Sequence, residues 1–305
     1  MSSSLLSGLS KQEIQAKIDR VPWYHEYDFP GGFRAKSSTP DTADHRALWG
    51  FLHEQLDKVD FKGKRVLEIG SWDGYWSFEA EKRGAARVLS TDDLSQNWSA
   101  GEGIQIAREL LGSKIEVRQD VSVYSLKETL ASEGPFDIII YLGVYYHLFD
   151  PYYAFTQIRH LCGPDTIVLI DGPEGPALPE GTACLNFANH AIEFLPSKGA
   201  LEQLVEAAYL TIEHRAEFNT DKNQPADTDP VGRKWRLKQA ALALFGSREK
   251  IRQHAKQIEP YTFFARRVFF HAKGFQGASR LHAYKPPFGL ECYDDRFNGQ
   301  TPITP

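Results

Sequence analysis

Acidic side chains and glycines alternate in one short stretch of this chain, at a spacing that suits a charged nucleoside ligand. The stretch reads Glu68-Ile69-Gly70-Ser71-Trp72-Asp73-Gly74. An apolar run precedes it and a helical pattern follows it, which predicts a strand, a tight turn and a helix. Glycines at such a turn let the backbone pass close to a ligand at the carboxyl end of the strand.

A second acidic position follows at the end of the next apolar run. Asp92 stands 22 residues after Gly70 and is followed by Asp93. A carboxylate at the end of the second strand of such a unit can accept hydrogen bonds from both ribose hydroxyls of an adenosine. The two acidic positions together predict a nucleoside cofactor.

The chemistry of the turn favours one cofactor over another. A dinucleotide needs the turn Gly-x-Gly-x-x-Gly to hold its pyrophosphate, and this chain has Gly70-Ser-Trp-Asp-Gly74 instead. The charge of Asp73 would repel phosphate but would attract the sulfonium and ammonium groups of S-adenosylmethionine. We therefore expect S-adenosylmethionine and not NAD.

At this point the residues resemble the first motif of class I S-adenosylmethionine-dependent methyltransferases, an apolar strand followed by acid-x-Gly-x-Gly-x-Gly. Glu68, Gly70 and Gly74 match that motif, and Trp72 replaces its middle glycine. The resemblance implies that the methionine portion of the donor lies at the turn, the ribose at Asp92, and the adenine after the third strand. The residues expected to bind the cofactor are Glu68, Gly70, Ser71, Asp73, Gly74, Asp92, Asp93, Asp120, Val121, Leu142 and Tyr146.

The resemblance narrows to one branch of these enzymes. The segments Gly143-Val-Tyr-Tyr-His147 and Phe194-Leu-Pro-Ser197 are similar to those of the branch that includes the tRNA wobble-uridine carboxymethyltransferases and relatives of unassigned substrate. The resemblance to this branch covers about residues 64–209, and it implies that Tyr146 contacts the donor. The basic N-terminal region of the tRNA enzymes has no counterpart here. We therefore expect a small-molecule or glycan acceptor in preference to nucleic acid, with O-methylation as the expected reaction and N-methylation as the alternative.

Histidine and carboxylate side chains near the later strands are candidates for the chemistry. His147 follows the predicted fourth strand, where an imidazole could take a proton from the acceptor, and it could equally be a hydrogen-bonded loop residue. Asp171, Glu174 and His190 could orient an acceptor or bind a metal, or simply cap a turn. We predict His147 as the catalytic residue and no metal site.

An aromatic loop precedes the motif. It contains Trp23, Tyr24, Tyr27, Phe29 and Phe33 and ends in a Pro-Gly-Gly turn signal. These side chains could form a lid over the donor that excludes water, or a hydrophobic cluster that fixes the N-terminal helix. Both interpretations remain open from the sequence.

Apolar runs alternate with helical segments from Lys64 onward, which predicts βαβ units. The expected fold is α/β, a Rossmann-like, doubly wound, seven-stranded and mostly parallel sheet with N-terminal helices and a late helical insertion. The expected regions are an N-terminal helical and aromatic lid (1–60), a methyltransferase domain (61–274) with the insertion 219–260, and a tail (275–305). The predicted strands are Arg65–Gly70, Arg87–Asp92, Ile115–Asp120, Phe136–Leu142, Thr166–Asp171, Thr211–Phe218 and Thr262–Ala272. The predicted helices begin near Ser10, Thr42, Trp76, Gly103, Val123, Tyr152 and Ser197.

Composition limits the class of protein. The 305 residues are 42% hydrophobic and 25% charged, as in ordinary globular proteins, and the net charge of −5 offers no general attraction to nucleic acid or acidic lipid. Three widely spaced cysteines indicate neither a disulfide framework nor a zinc site. No long apolar run or leader pattern occurs, so we expect a cytoplasmic protein without a membrane partner. The sequence does not predict the oligomeric state.

One segment keeps an alternative function open. The insertion has nine Lys or Arg against five Asp or Glu over Asn219–Glu259, a local balance of +4. Such a segment could hold tRNA for a modifying (carboxy)methyltransferase, although a solvated helix face is the simpler interpretation.

Overall fold

The structure is a computed structural model, and it describes residues 5–39, 42–97, 99–175, 178–185, 193–219 and 266–274. His190, nearly all of the insertion 219–260 and the tail 275–305 lie outside these ranges. Along the described chain the elements are α1 (Lys11–Ile18), β1 (Tyr27–Phe29), β2 (Phe33–Ala35), α2 (Thr42–Leu56), β3 (Arg65–Ile69), α3 (Tyr75–Lys82), β4 (Arg87–Thr91), α4 (Glu102–Leu111), β5 (Glu116–Arg118), α5 (Leu126–Leu130), β6 (Phe136–Leu142), α6 (Pro151–His160), β7 (Cys162–Pro173), β8 (Ala183–Leu185), β9 (Phe194–Pro196), α7 (Lys198–Ala207), β10 (Leu210–Asn219) and β11 (Arg266–Gly274).

A seven-stranded sheet in the order β10-β11-β7-β6-β3-β4-β5 forms the centre of the described chain. The five strands from β7 to β5 are parallel, while β10 and β11 pair antiparallel at one edge. The predicted Rossmann-like, mostly parallel sheet is therefore confirmed. Among the described residues, no helix has the length and apolar character needed to cross a membrane.

Helices cover both faces of the sheet, as the continuous apolar runs require. The neighbouring residues Val66 and Leu67 of β3 are both fully buried but belong to different cores. Val66 packs with residues of α1 to α4, whereas Leu67 packs with residues of α5 to α7. Successive strand residues point to opposite faces, so each central strand contributes to both cores.

Strand order creates a crevice at one place. The chain passes from β3 to β4 and β5 on one side and then returns to β6 on the other side of β3. Ligands of open α/β sheets bind outside the carboxyl ends of the strands at such a switch point. The turn Gly70–Gly74 after β3 and the turn after β6 meet there.

Local signals agree with most of the predicted elements. Ser10 caps α1 by accepting from the backbone N–H of Glu13, whose carboxylate accepts from the Ser10 N–H at 2.9 Å. The fifth predicted strand is longer than expected because Cys162 already pairs with Phe136 of β6. The helix predicted near Val123 begins later, since a short 3-10 turn capped by Ser122 precedes it.

Candidate active site

The turn after β3 is held by the neighbouring strand. The N–H groups of Gly70 and Ser71 both donate to the carbonyl of Thr91, at 2.9 and 3.0 Å. Trp72 has a φ of 51°, in the left-handed region that normally favours glycine. Trp72 stands where the methyltransferase motif has its middle glycine, and it keeps the backbone conformation that a glycine would supply.

The turns after β3 and β6 are in direct contact. Gly70 has a φ of 73°, and a Cβ on it would lie 2.6 Å from Cγ2 of Val144. The N–H of Gly143 donates to the carbonyl of Asp171 at 3.0 Å, which fixes the second turn to β7. Glycine at position 70 is therefore required both by its backbone angle and by the packing of the two turns.

Glu68 places a buried carboxylate below the first turn. Burial raises its pKa to about 8; the hydrogen bond from Ser77 opposes this shift, and the charges of Asp73 and Asp92 add to it. Three carboxylates thus lie close enough to influence one another. Such a group of like charges is relieved by a positively charged ligand.

Asp92, directly after β4, is a buried carboxylate held by neutral donors. Asn97 donates its Nδ2 to Oδ2 at 2.6 Å, and the N–H of Asp93 donates to Oδ1 at 3.0 Å. Asn97 also donates to the carbonyl of Trp72 at 3.2 Å, which ties Asp92 to the first turn. Burial raises the pKa of Asp92. Each carboxylate oxygen has a further lone pair that can accept from a ligand hydroxyl.

The predicted adenine residues lie beside Asp92. Asp93 and Asp120 form a β-bridge, and the N–H of Val121 donates to the carbonyl of Asp92 at 3.1 Å. The Asp120 side chain is 79% exposed and faces Arg118, so its backbone and not its carboxylate is directed to this region. Val121 is buried.

Asp73 holds the aromatic loop. Its Oδ2 accepts from the backbone N–H groups of Tyr24 and His25, at 3.1 and 2.8 Å, and its Oδ1 lies 2.7 Å from Nδ1 of His25. Tyr27 donates its hydroxyl to the Asp73 carbonyl at 2.9 Å. The Asp73 carboxylate therefore anchors residues 24–27 to the turn Gly70–Gly74. Its expected contact with the methionine portion of the donor stays a prediction.

One side of the aromatic loop is a hydrophobic cluster. Trp23 is buried against Tyr27 and Phe29, and its indole donates to the Ile18 carbonyl at 2.8 Å. Burial raises the pKa of Tyr24; the charges of Tyr146, Asp171 and Asp73 add to this shift, and Arg267 opposes it. The role of the loop as a lid over the donor stays a prediction.

A buried ion pair lies at the β6 side of the crevice. Arg267 of β11 donates Nε and Nη2 to the carboxylate of Asp171, at 3.2 and 2.5 Å. Its guanidinium lies 5.3 Å from the ring centroid of Tyr146, and both partners of the pair are at most 2% exposed. Leu142 and Tyr146, the two donor contacts predicted here, are buried beside this pair.

The other residues that the sequence suggested for the chemistry, His147 and Glu174, lie in different surroundings. His147 is exposed in the short 3-10 turn after β6, with its ring centroid 4.1 Å from that of Tyr146. Glu174 is buried and pairs with Arg215 at 3.2 Å. Within the described ranges, no group of three His, Cys, Asp or Glu side chains could hold a metal ion.

Sequence reasoning missed three residues of this region. His25 and Arg267 were not selected because their acidic partners lie 48 and 96 residues away along the chain. Asn97 was missed because nothing in its local pattern marks it. A basic residue at the start of the apolar run Val268-Phe269-Phe270 was the one available signal for Arg267.

The carboxylates Glu68, Asp73 and Asp92 make the crevice suited to a cation. In the part of the chain that the structure describes, the hydrogen bonds to Glu68 and Asp92 come from neutral donors. A pyrophosphate would be repelled there, and a sulfonium with an ammonium group would be attracted. The residues present therefore fit S-adenosylmethionine.

Comparisons with known proteins agree with this geometry. A family described as "Methyltransferase domain" matches residues 42–215. The tRNA U34 carboxymethyltransferase of Dichelobacter nodosus is 28% identical over 53% of this chain and 51% of its own length. The Azotobacter vinelandii protein of the same name is 26% identical over 75% of this chain and 74% of its own length. The chain thus spans only about half the length of the first of these relatives.

A solved structure shares the fold. The N-terminal domain of EvdMO1, crystallised with SAH bound, superposes with a TM-score of 0.50 at 16% identity, covering 71% of this chain and 94% of that domain. Because the family match extends over more than half of the 305 residues, the chain belongs to the methyltransferase domain family, as a class I S-adenosylmethionine-dependent methyltransferase.

Proposed function

We propose that this protein transfers a methyl group from S-adenosylmethionine to a hydroxyl of a small-molecule or glycan acceptor. The observation that carries the proposal is the group of buried carboxylates, Glu68, Asp73 and Asp92, beside the switch point of the sheet. An amine acceptor, and so N-methylation, would use the same donor site.

The proposed donor contacts follow the carboxyl ends of the strands. Asp92, with Asp93, accepts from the ribose hydroxyls, and Asp120 with Val121 borders the adenine. Gly70, Ser71 and Asp73 border the methionine portion, above Glu68 and Gly74, and Leu142 with Tyr146 closes the β6 side. When bound, the donor supplies a methyl group already activated by its sulfonium. The residues of the chain then contribute chiefly by holding acceptor and donor in line.

A hydroxyl acceptor must also lose its proton. His147 is the base that the sequence nominates, and its position directly after β6 beside Tyr146 supports that role. Its exposure would let the imidazole return the proton to water after each turnover. An unprotonated amine acceptor would need no such base.

Native mass spectrometry of the freshly purified protein tests the donor. We expect a bound mass equal to that of S-adenosylmethionine or SAH, and calorimetry should then show that added SAH binds the ligand-free protein. A pyrophosphate cofactor in the same spectrum would reject the proposal. Release of SAH in the presence of a panel of sugars, phenols and amines would then identify the acceptor class.

A tRNA substrate is the second candidate, because two relatives at 26% and 28% identity are named tRNA U34 carboxymethyltransferases. RNA binding would depend steeply on salt and would weaken when Arg233, Lys234 and Arg236 are changed to Glu. Binding of unmodified tRNA that resists both changes, or no binding, would favour the small acceptor. The bound mass in the first experiment also distinguishes the plain donor from a carboxylated one.

A further inference from the structure

His25 is held in one tautomer by Asp73. Its Nδ1 lies 2.7 Å from Oδ1 of the carboxylate, and both side chains are buried. An ionised carboxylate can only accept, so Nδ1 must carry the proton. In the neutral ring the other nitrogen, Nε2, then presents a bare lone pair.

Two buried atoms of opposite character lie on neighbouring rings beside this pair. Among the residues that the structure describes, His25 Nε2 and the indole Nε1 of Trp49 have no hydrogen-bond partner. The centroids of the two rings are 5.1 Å apart. Nε2 needs a donor and the indole N–H needs an acceptor. Other buried side-chain atoms of the described residues also have no partner in the structure, but these two stand out because their rings are in contact and one needs a donor while the other needs an acceptor.

A hydroxyl satisfies both atoms at once. Its hydrogen can be donated to Nε2, and its oxygen can accept from the indole N–H. A carboxylate or an ether cannot donate to Nε2, and an ammonium cannot accept from the indole. The chemistry of the pair therefore favours the O–H of an alcohol, a phenol or a water molecule.

The surroundings fix the imidazole rigidly beside the turn Gly70–Gly74. The ring of His25 is stacked on Tyr75 with centroids 4.3 Å apart and 13° between planes, and it meets the edge of Trp76. Asp73 of that turn is hydrogen-bonded to Tyr24, His25 and Tyr27 of the aromatic loop. The imidazole thus lies beside the turn where the donor is proposed to bind.

We propose that His25 and Trp49 form the binding site for the acceptor hydroxyl and that His25, oriented by Asp73, removes its proton in place of His147. The inference rests on the proposed methyl transfer. As the acceptor oxygen forms its bond to the methyl carbon, the bond from that carbon to sulfur breaks and the proton moves to Nε2. The imidazolium is stabilised by the Asp73 carboxylate and later passes the proton to water, while SAH leaves uncharged at sulfur.

Nuclear magnetic resonance of the ¹⁵N-labelled full chain, saturated with SAH, tests this site. At a pH where the imidazole is neutral, long-range proton–nitrogen correlations should show His25 protonated at Nδ1 and bare at Nε2. Phenol and glucose are the hydroxyl probes, and anisole, which lacks the hydroxyl hydrogen, is the matched control. We expect one of the hydroxyl probes to shift both His25 Nε2 and the Trp49 indole N–H, and anisole to leave Nε2 unchanged.

Variants isolate the two contacts. Trp49→Phe keeps an aromatic ring but removes the N–H, so the affinity for the effective probe should fall about tenfold. His53→Asn is the control. His53 is hydrogen-bonded to the hydroxyl of Tyr75 at 2.9 Å and is not hydrogen-bonded to His25 Nε2 or to the Trp49 indole N–H. That variant should bind the probe as the unchanged protein does.

The outcomes separate this inference from the proposed function. A proton on Nε2 of the neutral ring, or the absence of any shift with both hydroxyl probes, would overturn the hydroxyl site. SAH binding would survive in that case. Failure of SAH to bind would instead reject the proposed function, whatever tautomer His25 adopts.

Discussion

The carboxylate of Asp73 lies 2.7 Å from the imidazole Nδ1 of His25, and its second oxygen accepts two backbone N–H groups of the same loop. Asp73, in the turn Gly70–Gly74, thus joins this turn to the aromatic N-terminal loop. Because Asp73 of the turn proposed to face the donor also holds His25, which is proposed to face the acceptor, the two ligands would be positioned relative to one another by a single buried carboxylate.

Changing Asp92 to Ala should weaken SAH binding by about 10- to 100-fold, because it removes charge-assisted hydrogen bonds to the ribose. The fold should persist, since Asp92 directly follows its strand and contacts neutral donors only. Calorimetry measures the affinity. Glu102→Gln, a change of an exposed carboxylate on α4, is the control and should bind SAH normally. If both variants bound SAH with equal affinity, the ribose would have to bind at a place other than Asp92.

Binding of S-adenosylmethionine should release a proton at neutral pH. Burial raises the pKa of Glu68 to about 8, so its carboxyl is largely protonated before the cation binds. The sulfonium favours the carboxylate and should expel that proton. Calorimetry in two buffers of different ionisation enthalpy measures the release, which should be smaller with SAH, whose sulfur is uncharged. Glu68→Gln should abolish the difference.

The same shift predicts how stability depends on pH. The folded pKa of Glu68 lies above its ordinary value of 4.5. Its contribution is therefore complete below 4.5 and is lost as pH rises through about 8. Denaturation of the ligand-free protein across this range should show a decline that is smaller in Glu68→Gln. An identical slope in the two proteins would contradict the proposed burial of this charge.

Gly70→Ala should be more damaging than Gly63→Ala. Both glycines have a φ of 73°, so the backbone strain is matched, but a Cβ at position 63 meets nothing within 4 Å and one at position 70 meets Val144 at 2.6 Å. We expect an extra loss of about 1–3 kcal/mol of unfolding free energy from overpacking, together with weaker SAH binding. Adding Val144→Ala should restore most of it. Equal losses would show that the two turns do not press together.

Arg267→Met should lower the free energy of unfolding by about 3–5 kcal/mol, because it leaves the buried Asp171 carboxylate without its partner. The double variant with Asp171→Leu should recover much of the loss. Arg87→Met, which removes two more exposed pairs, one with Glu116 and one with Glu133, should cost less than about 1 kcal/mol per pair. Urea denaturation measures all three variants.

The two histidines can be distinguished once an acceptor is identified. His25→Asn should reduce turnover by about 100-fold or more while SAH still binds, as expected for loss of a general base. His147→Ala should then have the smaller effect. The reverse order of losses would return the role of base to His147, and full activity of both variants would indicate an acceptor that needs no base.

Much of the fold could be predicted because its signals are local. Each central strand is a short apolar run ending in Gly or an acid, and the capping residues Ser10 and Ser197 mark helix starts. The hairpins β1–β2 and β8–β9 were not predicted, because three residues per strand are too few to show a period of two. For the first hairpin, the sequence indicated the turn at Pro30–Gly32 but not the pairing of β1 with β2.

The linear order of residues was enough to indicate the methyltransferase motif, the positively charged donor and the strands that carry the site, since all of these depend on neighbours within about one turn or strand. It did not reveal that Asp73 faces His25, or that Asp171 faces Arg267. Those contacts join residues 48 and 96 positions apart, and folding brings them together only when the sheet and the N-terminal loop assemble. Burial then decides which polar atoms are left to bind a ligand, because the partners that satisfy or fail to satisfy them come from distant parts of the chain.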